Sequence, residues 1–130
     1  MAKNKTELRE PTKSELDILR VLWEYGPSTV RFVNDKLKEQ QKKEVQYSTT
    51  LKLMQIMAEK DLVKRDESEM KHVYSPAHDE NKTKEMLLNK FVDTLFSGSS
   101  SKLVMHLLGH KKTSKKELQA IKDLLKNYDK

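Results

Sequence analysis

The chain has 130 residues, 35% of them hydrophobic and 35% charged, with a net charge of +6 and no cysteine. Such a composition supports a modest core, and the missing thiols exclude disulfides, thiolate zinc sites, iron–sulfur clusters and cysteine nucleophiles. The basic balance, with an isoelectric point of about 9.4, favours polyanionic partners such as DNA, RNA or an acidic membrane surface.

No apolar run approaches the ~20 residues of a membrane span, and the start "MAKNKTELRE" lacks the apolar segment of a signal peptide. The expectation is a cytoplasmic protein with no direct membrane insertion. Residues 1–11 read as a flexible arm. "PTKSE" then opens a helix, with Thr12 as N-cap and Glu15 closing a capping box. Leu16, Ile18, Leu19, Leu22 and Trp23 gather on one side of it, opposite Asp17, Arg20 and Glu24. "YGPST" ends that helix, and Val30, Val33 and Leu37 mark a second. The polar loop "KEQQKKEVQ" leads into a third, "YSTTLKLMQIMAEK", ending near Lys60.

In that third helix Thr50, Leu53, Met54 and Met57 share one face, flanked by Leu51 and Ala58. Ser48, Thr49, Lys52, Gln55 and Glu59 fall on the other, with Ile56 among them. Small hydroxyls at a helix start reach phosphates or base edges without steric bulk. Lys52 stands a turn further in, where a groove-reading cation would sit, and Tyr47 can offer its hydroxyl to a phosphate. Next, "DLVKRDESEMKHVYSP" changes period. Leu62–Val63 and Val73–Tyr74 flank a polar middle, which predicts a two-stranded hairpin closed by Pro76, with Lys64, Arg65, Lys71 and His72 as its basic groups. Three helices and a hairpin in this order are those of a winged helix-turn-helix domain, here over residues 12–79.

After Pro76 the composition shifts. "ENKTKEMLLNKFVDTLF" is a helix with a broad apolar face, "SGSSS" breaks it, and "KLVMHLL" is a short apolar helix. Ser114 and Glu117 form another capping box, opening a last helix with Leu118, Ile121, Leu125 and Tyr128 at coiled-coil-like spacing. Phe91, Leu95, Leu103, Leu107, Leu118, Ile121 and Leu125 are more apolar surface than three short helices can hide. The expectation for residues 80–130 is a helical dimerisation domain of a homodimer. The fold class expected is mainly α throughout.

Signals for chemistry are weak. His106 and His110 stand four apart, but Gly109 intervenes and no third ligand is near, so neither a metal nor another cofactor is expected. Carboxylates are mixed with lysines along polar faces, and no phosphate loop or nucleophile motif occurs. The chain is not expected to be an enzyme. A DNA-binding protein and a protein-interaction module built on the apolar C-terminal helices are the two functions left.

"TKSELDILRVLWEYGPSTVRFV", "YSTTLKLMQIMAEKDLVKR" and "HVYSP", with "FVDTLFSGSSSKLVMHLL" and "KKELQAIKDLLKN", resemble the BlaI/MecI-type penicillinase repressor family. The resemblance covers nearly the whole chain. It implies a winged-helix DNA-binding domain, a helical dimerisation domain and a repressor sitting on a palindromic operator. It also implies a membrane zinc-metallopeptidase sensor pathway that ends in cleavage within the dimerisation domain. The faces of the third helix and the basic hairpin make Tyr47, Ser48, Thr49, Lys52, Gln55, Arg65, Lys71 and His72 the candidate DNA contacts, and the resemblance adds the His106–Leu107 bond as candidate cleavage site. The family pattern carries an arginine where Ile56 stands, a threonine at Lys52, a glycine at Asp61, and asparagine–phenylalanine at His106–Leu107. The C-terminal cysteines of its copper-responsive branch have no counterpart here.

Overall fold

The computed structural model describes residues 9–68, 70–109 and 114–128. Its elements run α1 (Lys13–Tyr25), β1 (Ser28–Thr29), α2 (Val30–Gln41), α3 (Tyr47–Glu59), β2 (Val63–Asp66), β3 (Val73–Pro76), α4 (Glu80–Phe96), α5 (Ser100–Leu108) and α6 (Lys115–Tyr128). The chain divides into two compact units, Met1–Met86 and Leu87–Lys130. The first is a winged helix.

The capping box of α1 forms as its sequence implies. Thr12 Oγ1 accepts from the Glu15 amide at 3.2 Å, and Glu15 Oε1 accepts from the Thr12 amide at 2.9 Å. Ile18, Leu19, Val21 and Leu22 of α1, Val30, Val33 and Leu37 of α2, Met54 and Met57 of α3, and Leu62, Val63 and Tyr74 of the sheet make the core. One polar pair is buried with them. Thr50 Oγ1 donates to Asn34 Oδ1 at 2.6 Å, joining α3 to α2 where both side chains are out of water. Such a pair fixes how the two helices cross, because breaking it strands a buried polar group.

Glu15 also reaches the far end of α3. Lys60 Nζ donates to both its carboxylate oxygens at 2.8 and 3.0 Å. Burial pushes the Glu15 pKa up, but the hydrogen bonds from Lys60 and Thr12 outweigh it and hold the carboxyl below its ordinary value. A depressed folded-state pKa means stability that is present above the unfolded pKa and lost as pH falls through the folded one. Lys60→Ala removes the cation and leaves the carboxylate almost buried. It is expected to cost about 1–3 kcal/mol near neutral pH, below the full cost of breaking a buried pair because the lysine is partly hydrated. Urea unfolding followed from neutral to acid pH checks this. The stability gap between the unmodified chain and the variant should be full near neutral pH and narrow as pH falls through the range in which Glu15 protonates, and a gap that does not change with pH would contradict the account.

The end of α3 is a Schellman motif. The Leu62 amide donates to Met57 O at 2.9 Å and the Asp61 amide to Ala58 O at 3.2 Å, while Asp61 sits at φ 62°. Leu62 and Met57, both buried, supply the apolar contact of the motif. This left-handed position suits glycine, the residue the family resemblance implies there. Asp61→Gly is therefore expected to raise stability by about 0.5–1 kcal/mol, read as a higher urea midpoint at unchanged slope. A lower midpoint would show that the Asp61 side chain contributes more than its backbone strain costs.

The hairpin of β2 and β3 forms as expected, with Lys64 opposite Ser75 and Arg65 opposite Tyr74. The structure adds a third strand. Ser28 and Thr29 pair antiparallel with Tyr74 and Val73, giving the order β1-β3-β2. Gly26 makes this possible: its φ of 83° and ψ of −169° lie in a region only glycine occupies freely. Thr29 then serves twice, as a strand residue and as the N-cap of α2, its Oγ1 accepting from the Phe32 amide at 3.2 Å. Trp23 Nε1 donates to His78 O at 3.3 Å, tying α1 to the chain beyond β3.

In the second unit α5 begins at Ser100, two residues before its apolar run, because Ser99 caps it by accepting from the Lys102 amide at 3.2 Å. Ser114 and Glu117 make both bonds of their capping box, at 3.1 and 3.2 Å. Val92 is buried, and the Phe96 ring packs between Phe91 and His106 at centroid distances of 5.8 and 5.7 Å.

Candidate nucleic-acid interface

The inward face of α3 is Thr50, Met54 and Met57, all buried, so the outward face is fixed by default. Tyr47, Ser48, Thr49, Lys52, Gln55 and Glu59 are exposed there, with Ile56 half-buried among them. Gln46, the N-cap, makes no side-chain capping bond. The start of α3 therefore presents hydroxyls and main-chain donors without a carboxylate in its first turn.

A cleft of about 430 Å³ runs between α3 and the hairpin. Tyr47, Leu51 and Gln55 line it from α3, Arg31 from α2, and Arg65, Lys71 and His72 from the hairpin, with Tyr74 in its floor. Among the described residues that line it, none is a carboxylate. Two grooves nearby differ in this respect: the one beside Thr49 contains Asp17 and Glu44, and the one beyond Gln55 contains Glu59 and Glu67. Of these three grooves, the one where α3 meets the wing is the one with no described carboxylate in its lining.

The hairpin cations are not equivalent. Arg65 is ion-paired with Glu67, and its hydrogen bonds to Tyr74 and then Glu67 raise its pKa further, so its charge is permanent but shared. Lys71 and His72 are exposed. Arg31 escaped the sequence reading because nothing in its local spacing marks it. Its guanidinium carbon lies 5.1 Å from the centre of the Tyr47 ring, a contact between residues on different helices.

Of the side chains expected at a dimer interface, Phe91, Leu95 and Leu107 are 46%, 63% and 40% exposed. Leu103, Leu118 and Ile121 are half-buried, and the Leu125 side chain lies outside the described residues. Leu88, Met105 and Leu124 are exposed as well. The His106–Leu107 bond lies in the last turn of α5, with His106 exposed. His110 is outside the described residues. Among those described, no three His, Asp or Glu side chains gather as metal ligands, and no helix is long and apolar enough to cross a membrane.

A solved chain from the complex structure of hsRosR-S4 superposes with a TM-score of 0.55 at 17% identity, covering 75% of this chain and 85% of that one. At that identity the likeness speaks for the fold. The penicillinase repressor of Staphylococcus aureus is 26% identical over 121 residues, 93% of this chain and 94% of that protein. The family model described as Penicillinase repressor matches residues 11–127, spanning the winged helix and all three C-terminal helices. The chain belongs to the penicillinase repressor family.

Proposed function

We propose that the protein is a transcriptional repressor that binds a palindromic DNA operator as a homodimer. In this mechanism α3 enters the major groove, with Ser48, Thr49, Lys52 and Gln55 facing base edges. Arg65, Lys71 and His72 meet the backbone from the wing. Membership of the penicillinase repressor family supports a DNA-binding repressor. The observation that carries the reading is the hydroxyl and lysine face of α3 beside a cationic cleft whose described lining holds no carboxylate. The exposed apolar side chains of α4, α5 and α6 support pairing with a second copy. Induction would run through a membrane metallopeptidase sensor pathway and cleavage at His106–Leu107. Because that bond is helical, the last turn of α5 must open before a protease can hold it extended.

The same apolar side chains favour a second reading, an interaction module whose charge serves solubility alone. Binding to duplex DNA separates the two, and the wing sharpens the test. Lys71→Ala should lower affinity for operator and random duplex alike and flatten the dependence of log K on log salt by about one. Glu67→Gln should strengthen binding, since Glu67 both neutralises Arg65 and repels phosphate. Absence of DNA binding at low salt would favour the interaction module, and a Lys71 effect confined to one base position would remove the wing from backbone contact.

A further inference from the structure

Arg31 is the second residue of α2 and Tyr47 the first of α3, so their contact joins the starts of the two helices. Both side chains are exposed and both line the cleft that holds Arg65, Lys71 and His72. Among the described residues no carboxylate lines that cleft and Arg31 makes no ion pair. A guanidinium lying over an aromatic ring keeps its in-plane N–H donors free, in the fork geometry that matches two phosphate oxygens. Stacking also removes rotamer freedom before binding, so less is lost when the contact forms.

We propose that Arg31, held on the Tyr47 ring, is a DNA-backbone anchor in addition to the wing, and that Tyr47 is a positioning residue acting through its ring rather than its hydroxyl. The inference rests on the DNA-binding reading above and adds α2 to the surface that grips phosphate. It departs from the expectation that Tyr47 itself donates to phosphate. An exposed arginine at a helix start is ordinarily just solvated; the contact with the ring of a residue on another helix, in a cleft whose described lining holds no carboxylate, sets this one apart.

The test is titration of a random-sequence duplex with the full chain across a range of salt concentrations, by fluorescence anisotropy. Thermal unfolding of each variant controls for the fold, which these exposed side chains should not disturb. Arg31→Ala should lower affinity roughly tenfold and make the log K against log salt slope shallower by about 0.9, the share of one phosphate contact. Arg31→Lys should keep the slope and lose part of the affinity, because charge remains but the planar fork does not. Tyr47→Ala, which removes the ring, should weaken binding far more than Tyr47→Phe, which keeps it. The double variant R31A/Y47A should bind no worse than R31A. Unchanged affinity and slope in R31A, with the unmodified chain binding well, would overturn the inference alone. Equal damage from Tyr47→Phe and Tyr47→Ala, or additive losses in the double variant, would overturn the positioning role. An unmodified chain that shows no salt-dependent binding would overturn the DNA-binding reading and this anchor with it.

Discussion

Phe91→Glu combined with Leu95→Glu is expected to convert the protein to a monomer and to lower its operator affinity by roughly two to four orders of magnitude. The two side chains lie one turn apart on α4 and are 46% and 63% exposed, so within one chain a carboxylate at either position meets water and disturbs little. At an interface between copies each would be buried without a cation, which association does not tolerate. The winged helix has its own core, drawn from α1, α2, α3 and the sheet, and should remain folded. What disappears is the tether: the second half-site contact becomes a separate bimolecular event instead of an intramolecular one. Sedimentation at micromolar concentration and operator titration read the two consequences separately. Affinity for a random duplex, per chain, should change far less. A variant that is monomeric yet binds the operator undiminished would show that repression does not require pairing.

The second large effect is expected in α3. Thr49→Ala and Lys52→Ala should each cost about 1–3 kcal/mol of operator affinity if a base contact is lost, and relax discrimination at the base pair concerned. Both residues are exposed on the face opposite Thr50, Met54 and Met57, so neither substitution touches the core. Random duplex binding should fall little for Thr49→Ala, whereas Lys52→Ala should also reduce the salt slope if its cation serves a phosphate. Binding of each variant to a panel of operators with single base-pair changes distinguishes these outcomes. Equal operator affinity in both variants would exclude α3 from sequence reading.

Much of this domain is legible in the sequence because its signals are local. The Thr12–Glu15 box, the apolar period of α1 and the two faces of α3 each depend on residues within a turn or two of one another, and each forms as the spacing implies. Three features were not legible because they join distant segments. Ser28 and Thr29 become a strand only because Tyr74 and Val73 arrive beside them. Glu15 looks like a cap from its neighbours, and its bond to Lys60, across 45 positions, emerges from folding alone. Arg31 gains significance from Tyr47, a residue of the next helix. In the C-terminal helices the apolar face was visible but not its division. Val92 is buried while its neighbour Phe91 is exposed, and no hydropathy pattern separates adjacent apolar residues without knowing what packs on each. The unusual Asp61 was visible as a departure from the family pattern, and its φ of 62° supplies the physical meaning.

The central claim is that two copies of this chain read two symmetric half-sites through α3. Footprinting of the full-length protein, on duplexes that it enriches from a randomised pool, tests it most directly. The account predicts an enriched palindrome whose half-sites lie about one or two helical turns apart, each protected in the major groove, with two chains bound per duplex. An enriched site without twofold symmetry, occupied by a single chain, or binding that enriches no sequence at all, would contradict it.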